Sequence, residues 1–288
     1  MNNEEFKQWC RRYNPSDMNA SPIIMGILNI TPDSFSDGGK YLQRDRAVEH
    51  AQQMIAQGAD IIDVGGESSR PGAESVSYEE EISRVIPVIE KLRNETDVAI
   101  SIDTTKASVM AEAVAAGAIL INDITALAAK DSLQLAAKLD VPVCLMHMQG
   151  KPNTMQHNPC YADDVLDEIN CFFEQKIKTC LSAGIRREHL ILDPGFGFGK
   201  LPQHNLRIVH QLEKLKQHNL PLMLGASRKT TLGVVLQRPV DDRIAGGLTI
   251  AIVAALQGVA ILRTHDVDAT RQALIMLQAI IHESVLSN

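Results

Sequence analysis

Aromatic side chains are scarce in this chain: Phe, Tyr and Trp make up 4% of 288 residues, with a single Trp. The core must therefore be filled by Ala, Ile, Leu and Val, a supply that suits parallel strands buried beneath helices. No uninterrupted apolar run reaches the roughly 18 residues of a membrane-spanning helix, and MNNEEFKQWCRRYN at the N-terminus is polar and mixed in charge, with no signal-peptide core. No membrane partner is expected. The five cysteines are odd in number and form no C-x-x-C, which argues against a disulfide framework and for a reducing, cytoplasmic setting. A basic excess is also missing. The net charge of −7 argues against a nucleic-acid partner, while leaving room for one phosphorylated ligand held by a few local cations. There is no H-E-x-x-H or His/Asp cluster at zinc spacing, no G-x-S-x-G elbow and no evident nucleophile–base pair.

What is present is a soluble globular composition, 45% hydrophobic and 22% charged, in a chain long enough to hide roughly 75% of its unfolded surface. Short apolar runs recur at 23–28, 60–64, 99–103, 119–123, 143–147, 190–193, 222–225 and 259–263. Most are continuous rather than alternating, as in strands covered on both faces. Between them, 46–57 carries Ala47, Ala51, Met54 and Ile55 on one helical stripe, and 80–92 carries Ile82, Val85, Ile86 and Ile89. Helical spacing also marks 165–181, 205–215, 244–256 and 267–285. This alternation predicts an α/β fold, a (β/α)8 TIM barrel; a doubly wound open sheet is the alternative. No composition break divides residues 21–288, which read as one catalytic domain. Residues 1–20 read as an N-terminal extension with room for a short helix against the barrel bottom.

The polar residues fall at the ends of the apolar runs: Asn29, Asp63 with Glu67, Asp103, Asn122 with Asp123, His147, Asp193, Ser227 to Lys229, and Arg263 to His265. Strands end in polar loops as a rule, but in a barrel these ends converge on the C-terminal rim, where active sites lie. NITPDSFSDGG, with Phe35, and VGGESSRPG, with Arg70, are glycine-rich loops of the kind that serve as lids. Asp103, Asn122 and Asp193 would together offer acceptors and one amide to a flat heterocycle with N–H and carbonyl edges. The competing reading of Asp103 is an N-cap for the next helix. In DPGFGFGK (193–200) neither the nucleotide P-loop nor G-x-G-x-x-G is matched; its glycines would let backbone and Phe198 approach a flat ligand. Ser227, Arg263 and His265 follow the last two runs, where barrels often bind phosphate. Lys229 suits charge stabilisation there, with an aldolase-type Schiff base as the other possibility. His147 reads as a packed core histidine.

Taken in order, GILNITPDSFSDGG, DVGGESSRPG, ISIDTTK, INDI, LMHMQGKPNTMQ, LDPGFGFGK, GASRKTTLG and RTHDV make the chain resemble the dihydropteroate synthases from about Ile24 to beyond the last strand. The resemblance implies condensation of 6-hydroxymethyl-7,8-dihydropterin pyrophosphate with p-aminobenzoate, Mg²⁺ as cofactor with Asn29 as its protein ligand, and a homodimer. It implies that Asp103, Asn122 and Asp193 hold the pterin with Lys229, that Ser69, Arg263 and His265 face the pyrophosphate, and that Arg70 is among the substrate-binding residues. Pro71, Phe198, Ser227, Thr230 and Phe35 would bound the aminobenzoate. Asp103, Asp193, Lys229 and Arg263 are the expected catalytic set. Ser69 and Thr230 stand where the family often has Thr and Ser, and Thr264 where it often has Val; each substitution keeps the groups the reaction needs. A pterin-binding methyltransferase barrel and a catalytically silent pterin-binding subunit are the competing functions.

Overall fold

The computed structural model describes residues 1–17, 20–31, 40–68, 72, 75–150, 154–156 and 159–284. The aliphatic runs form eight parallel strands: β1 (Ile23–Asn29), β2 (Ile61–Gly65), β3 (Ala99–Asp103), β4 (Leu120–Asp123), β5 (Val143–Met146), β6 (Leu190–Asp193), β7 (Met223–Leu224) and β8 (Ile261–Thr264). Their order is β6-β5-β4-β3-β2-β1-β8-β7, and a bridge from Leu192 to Leu222 joins the two ends into a ring. Helices cover the outside: α2 (Lys40–Ala56), α3 (Tyr78–Glu95), α4 (Ala107–Ala115), α5 (Ser132–Leu139), α6 (Val165–Ser182), α7 (Pro202–His210), α8 (Thr230–Leu236), α9 (Ile244–Leu256) and α10 (Val267–Ile281). The chain is a (β/α)8 barrel, as its alternation predicts. No helix among the described residues is long and apolar enough to cross a membrane.

Several elements depart from their sequence pattern at their ends, and one breaks inside. The stretch expected as one helix over 205–215 breaks at Gln211 (φ −134°, ψ 39°) and continues as a 3-10 helix, Leu212–His218. Leu212 and Leu215 are buried all the same, because both windings bring the apolar side chains inward. The run beginning at residue 60 starts its strand one residue later. The Asp60 carboxylate instead accepts from Ile24 N at 2.9 Å and from Arg271 Nη2 at 2.7 Å, tying β1 and α10 together below the strand.

Two apolar layers hold the fold. One lies between strands and helices, and the stripes read from sequence supply it, with Ala47, Ala51, Met54, Val85 and Ile89 all buried. The other fills the lower barrel: Ile23, Met25, Ile61, Ala99, Leu120, Cys144, Ile191, Met223 and Ile261. Phe6 and Cys10 of α1 (Asn3–Arg12) complete that inner layer, and both are buried. A reciprocal cap starts α1: Glu5 N donates to Asn2 Oδ1 (2.9 Å) and Asn2 N to Glu5 Oε2 (2.8 Å). The Trp9 ring stacks on Phe6 at 5.7 Å, and Ala99 N donates to Met1 O at 2.8 Å. The helix thus plugs the floor.

Candidate active site

Side chains alternate along a strand, so a position two residues past an inward-facing one also faces inward. Two residues beyond Ile61, Leu120, Ile191 and Ile261 stand Asp63, Asn122, Asp193 and Arg263, and Asp103 ends β3 in register with Asn122. The upper barrel is therefore charged. Arg263 bridges two carboxylates, donating from Nε to Asp63 Oδ2 and from Nη2 to Asp103 Oδ2, each at 2.6 Å. Asn122 Nδ2 donates to the same Asp63 oxygen at 2.9 Å. Burial pushes the Asp103 pKa up to about 7, against the pull of Arg263 and with help from the neighbouring Asp63, Glu81 and Asp123 carboxylates. Burial works against the Arg263 cation, but Asp63 and Asp103 outweigh it and hold its pKa above the usual range. Asp103 does not cap a helix. The residue before α4 is Lys106, which makes no side-chain cap.

The neighbouring strand ends add a second cation. Asp193 accepts from Gly195 N at 2.7 Å, and burial raises its pKa, with Lys229 the main opposing influence. Lys229 donates to Phe196 O, and its ammonium lies 4.5 Å from the Phe198 ring centroid. Burial lowers the Lys229 pKa to about 8, Asp193 resisting. The glycines of 193–200 are needed for close approach: at Gly195 (φ +66°) an added Cβ would lie 1.9 Å from His147 O. Lys200 stitches this loop to the one after β5. Its buried ammonium contacts His147 Nδ1 at 2.9 Å and the carbonyls of Gly195 and Phe198 at 3.0 Å and His147 at 3.2 Å. Burial lowers its pKa to about 7, and that of His147 to about 3, where Lys200 adds to the effect.

After β7 and β8, Ser227 Oγ lies 3.1 Å from His265 Nδ1 and donates to Asp266 Oδ2 at 3.3 Å. Arg228 donates to the other Asp266 oxygen at 2.7 Å. Thr230 opens α8 and is exposed, apart from the bonded cluster, whereas Thr231 is buried and accepts from Asn205 Nδ2 at 2.9 Å. On the β2 side, Lys106 pairs with Glu67 and, at 2.6 Å, with buried Glu81. Asn29 ends β1 in register with Gly65, whose added Cβ would lie 3.5 Å from Asn29 Oδ1 and from Asp103 Cβ. Among the described residues there is no group of three or more His, Cys, Asp or Glu fit to hold a metal. Ser69, Arg70, Pro71 and Phe35 lie outside the described residues.

Two residues matter more here than their sequence signal suggested. Asp63 was visible as a polar strand end but had no distinguishing mark; only the fold brings it to Arg263, 200 positions away. Lys200 follows a glycine-rich stretch that matched no known phosphate loop, and nothing local announces a buried lysine. Asp123, next to Asn122, bonds within its own loop, where its carboxylate accepts from Thr125 N at 2.7 Å and Leu127 N at 2.9 Å.

Residues 25–265 match the family described as pterin binding enzyme. A dihydropteroate synthase of Haemophilus influenzae is 50% identical over 258 residues, covering 90% of this chain and 94% of the relative. The crystal structure of the Yersinia pestis dihydropteroate synthase in a sulfonamide drug complex superposes with TM-score 0.87 at 49% identity, over 92% of this chain and 96% of the other. That of the Xanthomonas albilineans enzyme with 4-aminobenzoic acid gives 0.86 at 43% identity, over 93% and 95%. The chain belongs to the dihydropteroate synthases, within the pterin-binding enzymes.

Proposed function

We infer that this protein joins 6-hydroxymethyl-7,8-dihydropterin pyrophosphate to p-aminobenzoate, releasing pyrophosphate and 7,8-dihydropteroate, a transferase step of folate biosynthesis. The observation that carries this reading is the meeting of Asp103, Asn122, Asp193, Lys229 and Arg263 at one barrel mouth. Asp103, Asn122 and Asp193 provide acceptors and an amide for the pterin edge, with Lys229 beside them. Ser227, Arg263 and His265 supply donors for the pyrophosphate. Phe198, Ser227 and the exposed Thr230 are assigned to the pocket of the second substrate; the Xanthomonas albilineans enzyme carries 4-aminobenzoic acid. Ser69, Arg70 and Pro71 are assigned to the second loop's share of both pockets on family resemblance.

The chemistry needs little proton transfer. An aryl amine carries a lone pair at neutral pH, so no general base is required to expose it. Breaking the C–O bond to pyrophosphate leaves positive charge on the pterin methylene, and the buried carboxylates of Asp103 and Asp193 stabilise it. Lys229 and Arg263 keep those carboxylates balanced while substrate is absent. The amine nitrogen then forms the new C–N bond and sheds its proton to solvent.

Asn29 is a hard oxygen donor at the mouth, and a single protein ligand fits a Mg²⁺ that arrives with a pyrophosphate and keeps several waters. When bound, Mg²⁺ would neutralise charge on the departing pyrophosphate. Asn29→Ala is expected to lose most turnover and to raise the Mg²⁺ concentration for half-maximal rate, with unchanged melting temperature; near-normal turnover would reject the role. We also propose a homodimer through the late helices, where Val234, Val235, Ile244, Ile275, Met276 and Ile280 are exposed. Met276→Glu should shift sedimentation from dimer to monomer. For the activity itself, purified protein with both substrates and Mg²⁺ should form 7,8-dihydropteroate and release pyrophosphate; absence of both products would reject the reading.

A further inference from the structure

One oxygen atom organises the mouth. Asp63 Oδ2 accepts both Arg263 Nε and Asn122 Nδ2, at 2.6 and 2.9 Å, and the Asp63 side chain is wholly buried. A carboxylate only accepts hydrogen bonds, so the atom of Asn122 that faces it must be the amide nitrogen. That contact settles the amide's orientation. One N–H is committed inward, and the carbonyl oxygen and the remaining N–H meet the cleft in a fixed order. Without Asp63, the amide could turn over and present donor and acceptor in the opposite order at little cost, since oxygen and nitrogen have nearly the same size.

We propose that Asp63 is the positioning residue that sets heterocycle specificity, by locking the Asn122 amide in one orientation and aligning Arg263. This deepens the proposed function and rests on it: the ligand class is a flat bicycle whose exocyclic group at the cleft edge is an amino donor rather than an oxo acceptor. Asp63 touches no ligand in this role and acts through its two partners. A similar lock on Arg263 fixes the guanidinium plane, because Nε goes to Asp63 while Nη2 goes to Asp103. The charged groups facing Asp63 from neighbouring strands are thus Arg263 and, across it, Asp103.

The conservative variant has room to work. Asp63 is in register with Ser101, and both Asp63 Oδ1 and Ser101 Oγ are buried without a partner among the described residues. In Asp63→Asn the new amide nitrogen can take the place of Oδ1, the oxygen that bonds to nothing among the described residues. Its carbonyl oxygen then stays at the Oδ2 position, still able to accept from Asn122 and Arg263.

The test compares binding of 6-hydroxymethylpterin with 6-hydroxymethyllumazine, in which oxo replaces the exocyclic amino group, by calorimetry on the full chain. The parent should prefer the pterin. Asp63→Ala should lower the pterin-to-lumazine affinity ratio by about tenfold to a hundredfold, the span of one hydrogen bond to a charged group, and Asp63→Asn should restore most of it. A general loosening of the site would weaken both ligands alike, and an unchanged ratio in a folded Asp63→Ala overturns the proposal. A parent that binds neither ligand rejects the pterin reading first, and the specificity role with it. Where Asp63→Ala does not fold, ¹⁵N NMR of the parent decides. One side-chain amide proton of Asn122, assigned by its loss in Asn122→Ala, should resonate well downfield of its twin and move upfield in Asp63→Asn. A pair with the shifts of an exposed amide overturns the proposal.

Discussion

The floor and the mouth of this barrel are made by the same strands, two residues apart, and share almost no chemistry. At the floor, Ile61, Leu120, Ile191 and Ile261 pack with Phe6 and Cys10 of α1. At the mouth, the next inward positions are Asp63, Asn122, Asp193 and Arg263. The spacing between the layers is about 6–7 Å, two residues of strand rise. The contrast separates stability from chemistry. Apolar burial below holds the ring closed, so the layer above can carry buried charges that contribute little to stability and depend on one another for balance.

Variants can test that division. The largest effect on stability is expected at the floor. Phe6→Ala should cost about 3–5 kcal/mol in urea unfolding, while turnover per folded molecule stays within a factor of two or so of the parent. Turnover lost in step with stability would join the two layers. At the mouth the pattern should invert: Lys229→Met should lower kcat by roughly 100-fold to 1,000-fold and lower the unfolding midpoint less than Phe6→Ala does, because relief of the desolvated cation offsets part of the counter-charge that Asp193 loses. The smallest effect is a pH slope. The Asp103 pKa lies near 7 in the folded chain against an ordinary 3.8, so the folded state holds this proton when the unfolded state has released it. The stability this contributes is present at low pH and lost as pH rises through about 7. Relative to Asp103→Asn, which does not titrate, the parent should therefore lose stability between pH 5 and pH 8, about the span that brackets the raised value. A parallel pair of pH curves would remove Asp103 as the titrating group.

The layers also differ in how far the sequence revealed them. The strands were legible because continuous aliphatic runs mark buried parallel strands, and α2, α3, α6 and α9 because their apolar stripes are long enough to show a period. The helices α4, α5 and α8 have nine, eight and seven residues, too few turns for a stripe to stand out, and α8 carries Gly233. Of the mouth, Asp103, Asn122, Asp193, Lys229 and Arg263 could be named from their places at strand ends. Their pairings could not, since Arg263 meets Asp103 across 160 positions and its partner Asp63 carries no local mark. Lys200 shows the same limit: its four contacts come from two loops, and only the packing of Gly195 against His147 brings them together.

The plug at the floor has a practical corollary. Trp9 is the chain's single tryptophan, and it sits on α1 with its ring against Phe6. Intrinsic emission excited at the indole therefore watches the closed end of the cylinder, a full strand length from where ligands enter. Titrating in a substrate should leave that signal quiet, and unseating α1 should change it before the ring itself opens.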